Sequence, residues 1–322
     1  MNSVDAMTIE THGYRIREET WKPLWKRCLT DRRTSLMELY SPSTIKEISE
    51  KYGFRFSRSL GQNFITDRNV LNKIVEGAEI GPEDLVIEIG PGFGALTAEL
   101  AQVSSRVVAI ELDSRLIPIL QSTLKEYDNV ELVNRDILKA DIGTIIDEYR
   151  DTGKFTGKAR IAGNLPYYIT TPIIMKILES EADVDSITVM MQKEVADRIE
   201  AEPGSKTYGA ISVAVQYYCT VSRVASVARS CFIPPPNVDS AVLNLKIRKE
   251  KPAEVKDRKV FFDCIKAGFG QRRKTLLNSL SGAGGTEKER VKEILEAAGI
   301  EPGRRAETLS VEEFARIANE MA

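Results

Sequence analysis

The residues best suited to chemistry lie in one short segment, Gly163-Asn-Leu-Pro-Tyr-Tyr168. An exocyclic adenine amine is a poor nucleophile, because its lone pair is delocalised into the ring. Two acceptors that hold both N–H groups would localise and aim that lone pair: the Asn164 side-chain oxygen and a backbone carbonyl at Leu165 or Pro166. Pro166 restricts Leu165 to an extended conformation, and Tyr167 offers a ring for base stacking. The pattern suits catalysis by positioning and oriented acceptors; a proline turn with a core tyrosine is the alternative.

A glycine-rich segment, Glu88-Ile-Gly-Pro-Gly-Phe-Gly94, follows a short apolar run. Its glycines allow a tight turn and a close approach of the backbone to a ligand. Glu111 ends the next apolar run, 21 residues after Gly90, and can accept from both hydroxyls of a ribose. Asp136 follows a third run and can accept from an adenine amino group, although an aspartate there is often a helix cap. This pattern alone fits NAD as well as S-adenosylmethionine.

The two patterns together favour S-adenosylmethionine as the cofactor. The Asn-Leu-Pro-Tyr segment would have no function in a nicotinamide oxidoreductase. A methyl sulfonium, in contrast, carries a good leaving group, and the amine's proton can depart to water after transfer. We therefore expect a methyltransferase that needs no histidine, and binding measurements with both cofactors would separate the two classes.

The histidine and cysteine residues argue against several other mechanisms. His12 is the only histidine and lies in a polar N-terminal stretch, so a Ser-His-Asp triad or a multi-histidine metal site is nearly excluded. The four cysteines, Cys28, Cys219, Cys231 and Cys264, form no C-x-x-C pair. Without nearby histidine they give no zinc spacing, and we expect idle or buried thiols and no metal.

Short apolar runs alternate with helical patterns through the middle of the chain and would position these residues. The runs are residues 85–89, 106–110, 130–133, 159–162 and 187–191. This alternation of strands and helices predicts a parallel α/β sheet with helices on both faces. Sheets of this type bind ligands at the carboxyl ends of their strands. Two later runs, 221–227 and 241–247, have no helix between them and predict an antiparallel hairpin at one edge.

The last part of the chain differs in pattern and in charge. We expect a catalytic domain over residues 37–248 and a small all-helical domain over residues 249–322, where only helical patterns remain. Residues 244–291 carry 13 basic and 6 acidic groups, whereas residues 61–243 carry 17 and 26. A basic segment beside an acidic α/β body suggests a polyanion partner; solvated helix faces are the alternative.

The N-terminal stretch, residues 1–36, is unlike the rest. It holds the only histidine and both tryptophans, Trp21 and Trp25. We interpret it as an extension, with Met37 as a candidate true start. The alternative is a short helix that docks the two tryptophans onto the body.

Composition places the chain in the globular class. The chain has 322 residues, of which 42% are apolar, so it can build a core and is neither disordered nor fibrous. No run approaches the ~18 apolar residues of a membrane span, and the N-terminus has no apolar signal core. We expect a cytoplasmic protein that has no membrane partner.

With these motifs in place, the chain resembles the ribosomal RNA adenine N6,N6-dimethyltransferases from about Leu39 to its C-terminus. The shared motifs occur in order and make the resemblance specific. They are Ser59-Leu-Gly-Gln-Asn-Phe64, the Glu88–Gly94 loop, Glu111-Leu-Asp113, Asp136, Asn164-Leu-Pro-Tyr167, Gln192-Lys-Glu194, Tyr208-Gly-Ala-Ile-Ser212 and Phe232-Ile-Pro-Pro-Pro-Asn-Val-Asp-Ser240.

The resemblance implies a Rossmann-like fold, S-adenosylmethionine as methyl donor and a set of site residues. The implied cofactor contacts are Asn63, Ile65, Gly90, Glu111, Asp136 and Asn164. Phe232 resembles the second aromatic residue that flanks the target base; without the family it would be interpreted as a core residue. The extension before Met37 is atypical of the family.

The family has two main branches, and this chain resembles the one that modifies two adjacent adenosines near the 3′ end of small-subunit (16S) rRNA. The other branch modifies a large-subunit adenosine and usually has Asn-Ile-Pro-Tyr where this chain has Asn164-Leu-Pro-Tyr167. We expect the small ribosomal subunit as partner, a monomeric enzyme, and phosphate contacts from Arg272, Arg273 and Lys274. A large-subunit methyltransferase and a protein that acts mainly as a ribosome-assembly factor are the alternatives.

Overall fold

The computed structural model describes residues 38–57, 60–271, 273–284 and 287–322. The predicted extension over residues 1–36 and the candidate phosphate contact Arg272 lie outside the described residues. None of the helices in the described part combines the length and the apolar character that crossing a membrane requires.

Helices and strands alternate through most of the described chain. The strands are β1 (Phe64–Ile65), β2 (Leu85–Ile89), β3 (Arg106–Glu111), β4 (Val130–Asn134), β5 (Ala159–Asn164), β6 (Val184–Gln192), β7 (Cys219–Val227), β8 (Phe232–Ile233) and β9 (Ser240–Ile247). The helices are α1 (Pro42–Tyr52), α2 (Arg68–Gly77), α3 (Ala95–Ala101), α4 (Ile117–Thr123), α5 (Ile142–Asp151), α6 (Thr170–Glu179), α7 (Lys193–Ile199), α8 (Ala210–Tyr218), α9 (Arg258–Gly270), α10 (Leu276–Gly284), α11 (Lys288–Ala297) and α12 (Val311–Met321).

Within the described residues, seven strands form one sheet in the order β4-β3-β2-β5-β6-β9-β7. The first five are parallel, and β9 pairs antiparallel with both β6 and β7. The predicted Rossmann-like sheet with an antiparallel edge is thus confirmed. The chain proceeds from β2 outward to β4 and then crosses to β5 on the other side, so the order reverses between β2 and β5, where ligands bind in such sheets.

Successive side chains of a strand point to opposite faces of the sheet, so the hydrophobic core is divided between the two faces. Val86 and Val107 face the cluster that contains α2 and α3. Their neighbours Ile87 and Val108 face the larger cluster on the other side. All four side chains are fully buried, as expected for parallel strands that helices cover on both faces.

The C-terminal helices share the larger of these clusters with the sheet. The rings of Tyr217 on α8 and Phe261 on α9 lie 4.8 Å apart, and Tyr208 meets Phe269 edge to face at 6.0 Å. Phe269 in turn packs 5.6 Å from Phe314 on α12. The hydrophobic core therefore continues from the sheet into the helices, and the domain boundary at residue 248 stays a prediction.

Candidate active site

A cleft at the carboxyl ends of β2, β3 and β5 contains about 1040 Å³ of empty space, part of it open solvent. Segments far apart in sequence meet there: the turn before β1, the glycine loop, and the residues that follow β3, β4 and β5. Each of the expected cofactor contacts lines this cleft, namely Asn63, Ile65, Gly90, Glu111, Asp136 and Asn164. Whether they bind the cofactor stays a prediction.

The glycine loop lines the cleft, and its three glycines adopt left-handed backbone conformations. Gly92 has a φ of +61°, and a Cβ at that position would lie 2.9 Å from the Phe64 ring. Gly163, next to Asn164, faces a similar constraint, since a Cβ there would lie 2.6 Å from the carbonyl oxygen of Ile89. Side chains are therefore excluded from both places, and the β2 and β5 backbones meet closely beside the cleft.

Two buried carboxyl groups line the cleft at the ends of neighbouring strands. Burial raises the pKa of Glu88 to about 8 and that of Glu111 to about 7. The Oε1 atom of Glu111 accepts from the backbone N–H of Asp113 at 2.8 Å. Among the described residues, the Oε2 atom of Glu88 has no hydrogen-bond partner. Both groups are therefore poised to respond to a cation or to hydrogen-bond donors in the cleft.

Asp113 links the end of β3 to the turn before β1. It accepts from the Arg115 guanidinium at 2.8 and 2.6 Å and from the Gln62 amide at 2.8 Å. The hydrogen bonds from Arg115 are the main reason that the pKa of Asp113 lies below its usual value. Sequence reasoning gave Gln62 no role, although it is adjacent to Asn63; its contact holds the turn that carries Asn63.

Asn164 lies at the end of β5 and lines the cleft. The two atoms of its side-chain amide differ in their hydrogen bonding. Its Nδ2 donates to the backbone carbonyl of Asn63 at 2.8 Å. Its Oδ1 is buried and accepts from no described residue. The bond from Nδ2 identifies the other amide atom as the oxygen, so the atom without a partner is an acceptor. A ligand donor such as an amine N–H would satisfy it.

The backbone carbonyls of Leu165 and Pro166, the two candidates for the second acceptor, differ in the hydrogen bonds that they already accept. The Pro166 carbonyl already accepts from the Ile169 N–H and the Thr170 hydroxyl, both at 3.1 Å. No described residue donates to the Leu165 carbonyl, although the Leu165 side chain is buried in the core. Pro166 lines the cleft, however, and Leu165 does not, so the choice of second acceptor stays a prediction.

The two aromatic residues expected to flank the base lie outside the lining of the cleft. The Tyr167 hydroxyl makes a 2.6 Å hydrogen bond with the Ser240 hydroxyl at the start of β9. Phe232 is 2% exposed and lies opposite Ile65 in the antiparallel pair of β8 with β1. Tyr168, to which sequence reasoning gave no role, lines the cleft instead.

The other site predictions concern phosphate and metal. Arg273 and Lys274 are exposed in the turn between α9 and α10, and the Lys274 N–H donates to the Gln271 carbonyl at 2.8 Å. Neither lines the cleft. The described residues contain no group of three or more His, Cys, Asp or Glu side chains placed to hold a metal ion.

Known proteins with similar sequences cover most of this chain. A protein named ribosomal RNA small subunit methyltransferase A from Clostridioides difficile strain 630 is 52% identical over 281 residues, which cover 87% of this chain and 96% of the relative. A protein of the same name from Bacillus cytotoxicus is 50% identical over 287 residues and covers 88% of this chain and 97% of its own.

Two solved structures of methyl-transferring enzymes have a fold similar to that of this chain. A dimethyladenosine transferase from Plasmodium falciparum matches with a TM-score of 0.65 and 26% identity over 79% of this chain and 95% of its own. The 23S rRNA methyltransferase ErmE matches with a TM-score of 0.61 and 28% identity over 80% of this chain and 98% of its own.

The family model described as ribosomal RNA adenine dimethylase matches residues 53–322. This chain therefore belongs to the ribosomal RNA adenine dimethylase family.

Proposed function

We propose that this protein transfers methyl groups from S-adenosylmethionine to the N6 amines of two adjacent adenosines near the 3′ end of 16S rRNA. The observation that carries the proposal is the buried, unpartnered Oδ1 of Asn164 beside the glycine loop. Relatives of about 50% identity that are named ribosomal RNA small subunit methyltransferase A support the choice of subunit. We further propose that the enzyme acts in the cytoplasm as a monomer.

The chemistry of the cleft fits S-adenosylmethionine. When bound, this cofactor supplies an electrophilic methyl group on a positively charged sulfonium. Glu88 and Glu111, two buried acids beside the glycine loop, would favour such a cation once ionised. Glu111 would accept from the ribose hydroxyls, Asp136 from the adenine amino group, and Asn63, Ile65 and Gly90 would shape the pocket.

The Asn-Leu-Pro-Tyr segment would act on the target amine. The Oδ1 of Asn164 and the carbonyl of Leu165 would accept from its two N–H groups and so aim the nitrogen lone pair at the methyl group. The new N–C bond would form as the S–C bond of the methyl donor broke, and the amine would then lose one proton to water. Preorganised acceptors of this type act through geometry and electrostatics, which agrees with the lack of histidine among the described residues that line the cleft.

The RNA must present one adenosine at a time. An adenine inside a helix cannot reach the cleft, so the target base would be turned out of its RNA. Tyr167 and Phe232 are the proposed flanking aromatics, which requires Phe232 to leave its buried position at least in part. Arg272, Arg273 and Lys274 are the proposed phosphate contacts. Each adenosine receives two methyl groups, so the pocket must also accept monomethylated adenine.

Methylation of purified ribosomal subunits tests the proposal. The protein is incubated with labelled S-adenosylmethionine and unmethylated small subunits, and the RNA is then digested for nucleoside analysis. We expect labelled N6,N6-dimethyladenosine in small-subunit RNA and none in large subunits treated in parallel. Label confined to the large-subunit RNA would instead indicate a 23S rRNA methyltransferase, as ErmE is named. Absence of labelled dimethyladenosine from both would refute the proposal.

A further inference from the structure

Tyr168 is the most exposed of the large apolar side chains in the described part of the chain. It is 56% exposed, whereas the next, Leu112, is 48% exposed. A single exposed apolar side chain is ordinary in a soluble protein. Its surroundings therefore decide whether its exposure has a function.

Tyr168 lies at the cleft, close to the residues proposed to hold the target amine. It lines the cleft together with Asn63, Asn164 and Pro166. Its ring lies over Gly61, where an added Cβ would be 3.5 Å from two ring carbons. No described residue forms a hydrogen bond or ring contact with its side chain, so the ring is available to a ligand.

The backbone fixes the direction in which Tyr168 points. Residues Tyr167–Ile169 form a single 3₁₀ turn, closed by the Ile169 N–H on the Pro166 carbonyl at 3.1 Å. With three residues per turn, neighbouring side chains lie about 120° apart. Because Tyr167 is turned towards Ser240, Tyr168 must point elsewhere, and the helix α6 that begins at Thr170 holds the turn in place.

The other candidate aromatics are engaged within the protein. The Tyr167 hydroxyl is bonded to Ser240, and Phe232 is buried in the core. A single-stranded base needs an accessible aromatic face, and such stacking contributes a large share of binding to unpaired RNA. Tyr168 meets this requirement without any rearrangement.

We infer that Tyr168 is a positioning residue for RNA, whose ring stacks on the unpaired base next to the adenosine in the cleft. This inference rests on the proposed function. Turning one adenosine out of its RNA leaves the neighbouring nucleotide at the mouth of the cleft, where the Tyr168 ring lies. Stacking there would hold the second of two adjacent adenosines while the first is methylated.

The test compares Tyr168→Ala and Tyr168→Phe with the wild type and with Tyr52→Ala. Tyr52 is the matched control, because it is another exposed tyrosine, 37% exposed, and does not line the cleft. Initial rates are measured against small-subunit concentration at saturating S-adenosylmethionine, and cofactor affinity is measured separately by calorimetry. Thermal unfolding of each variant confirms that it is folded.

Loss of one stacked base predicts a rise of roughly 5- to 150-fold in KM for the small subunit in Tyr168→Ala. Cofactor affinity should change less than twofold, Tyr168→Phe should restore most of the loss, and Tyr52→Ala should behave as the wild type. An unchanged KM in Tyr168→Ala would overturn the inference. An equal loss of cofactor affinity would also overturn it, because it would assign Tyr168 to the cofactor pocket. A wild type inactive on small subunits would instead refute the proposed function.

Discussion

Asn164 shows how one side chain can be both structural and catalytic. Its Nδ2 donates to the Asn63 carbonyl at 2.8 Å, and its buried Oδ1 accepts from no described residue. A buried acceptor without a partner carries a desolvation cost, which a bound amine would remove. The turn that carries Asn63 is therefore part of the machinery that aims the acceptor.

Replacement of Asn164 tests whether its side chain has this catalytic role in addition to its structural one. Asn164→Ala removes the acceptor and should lower the methyl-transfer rate by at least about 100-fold, the range seen when one preorganised hydrogen-bonding group is lost. The fold and most of the RNA affinity should remain, because the side chain lines the cleft and is not part of the hydrophobic core. Single-turnover rates, circular dichroism and RNA-binding titrations measure the three properties.

The matched control is Asn69→Ala, which changes an exposed asparagine on α2 that does not line the cleft. It should retain wild-type rates. Full activity in Asn164→Ala would remove Asn164 from the mechanism.

At the scale of elements, apolar runs were the most informative part of the sequence. The five parallel strands were all predicted. Four of them, β2, β3, β5 and β6, are largely buried and consist of nearly continuous apolar residues. The fifth, β4, is a partly exposed edge strand, and its Val-Glu-Leu-Val run was predicted from its place in the alternation of strands and helices. Helices α5, α7 and α8 were not assigned. The sequence of α8, Ala-Ile-Ser-Val-Ala-Val-Gln-Tyr-Tyr, is buried on most sides, so it lacks the periodicity that identifies a surface helix. Its packing between sheet and C-terminal helices decides its structure.

The close approach of β2 and β5 can be tested at Gly163. A Cβ there would lie 2.6 Å from the Ile89 carbonyl oxygen, and backbone cannot move aside cheaply. Gly163→Ala should therefore lower the free energy of unfolding by about 1–3 kcal/mol, as for other overpacked sites. It should also reduce activity by displacing Asn164. Chemical denaturation measures the stability.

Gly270→Ala is the matched control, since a Cβ at the end of α9 would meet nothing within 4 Å. It should change the free energy of unfolding little. Wild-type stability in Gly163→Ala would show that the two strands can separate at low cost.

The buried acids at the ends of β2 and β3 predict pH-dependent cofactor binding. The pKa values of Glu88 and Glu111 are raised to about 8 and about 7, so at about pH 6 both groups are largely protonated in the free protein. A cation or ribose hydroxyls favour the ionised form. Binding therefore releases protons, and affinity should rise as the pH increases from about 6 to about 7.5.

Calorimetry of S-adenosylmethionine binding in buffers of different ionisation enthalpy measures both the affinity and the protons released. Glu111→Gln should bind more weakly than the wild type and release fewer protons. A wild-type affinity independent of pH, with no protons released, would contradict this role for the acids.

At the scale of the whole molecule, the near-neutral net charge of −2 conceals a separation of charge along the chain. The acidic sheet region and the basic segment of residues 244–291 are joined by one hydrophobic core. The charge pattern could be predicted from sequence, whereas the faces on which the charges lie depend on how the helices pack. For the same reason Tyr168 was missed: adjacent tyrosines look equivalent in sequence, and only the 3₁₀ turn separates them.

Neutralising Arg272, Arg273 and Lys274 to glutamine tests the basic turn before α10. If each contacts one phosphate, the slope of log affinity against log salt should become less steep by about 2 to 3. A filter-binding series with small-subunit RNA at several salt concentrations measures this slope. Lys46 and Lys51 on α1, changed to glutamine, provide the control. An unchanged slope in the triple variant would exclude these residues from the RNA footprint.

The most direct test of the central claim is a count of methyl groups on the RNA. Unmethylated small subunits are incubated with S-adenosylmethionine and either the wild type or Asn164→Ala, and the digested RNA is analysed by mass spectrometry. The wild type should add four methyl groups per small subunit, as two adjacent N6,N6-dimethyladenosines near the 3′ end, and Asn164→Ala should add almost none. Methyl groups at another RNA position, or equal methylation by both proteins, would contradict the account.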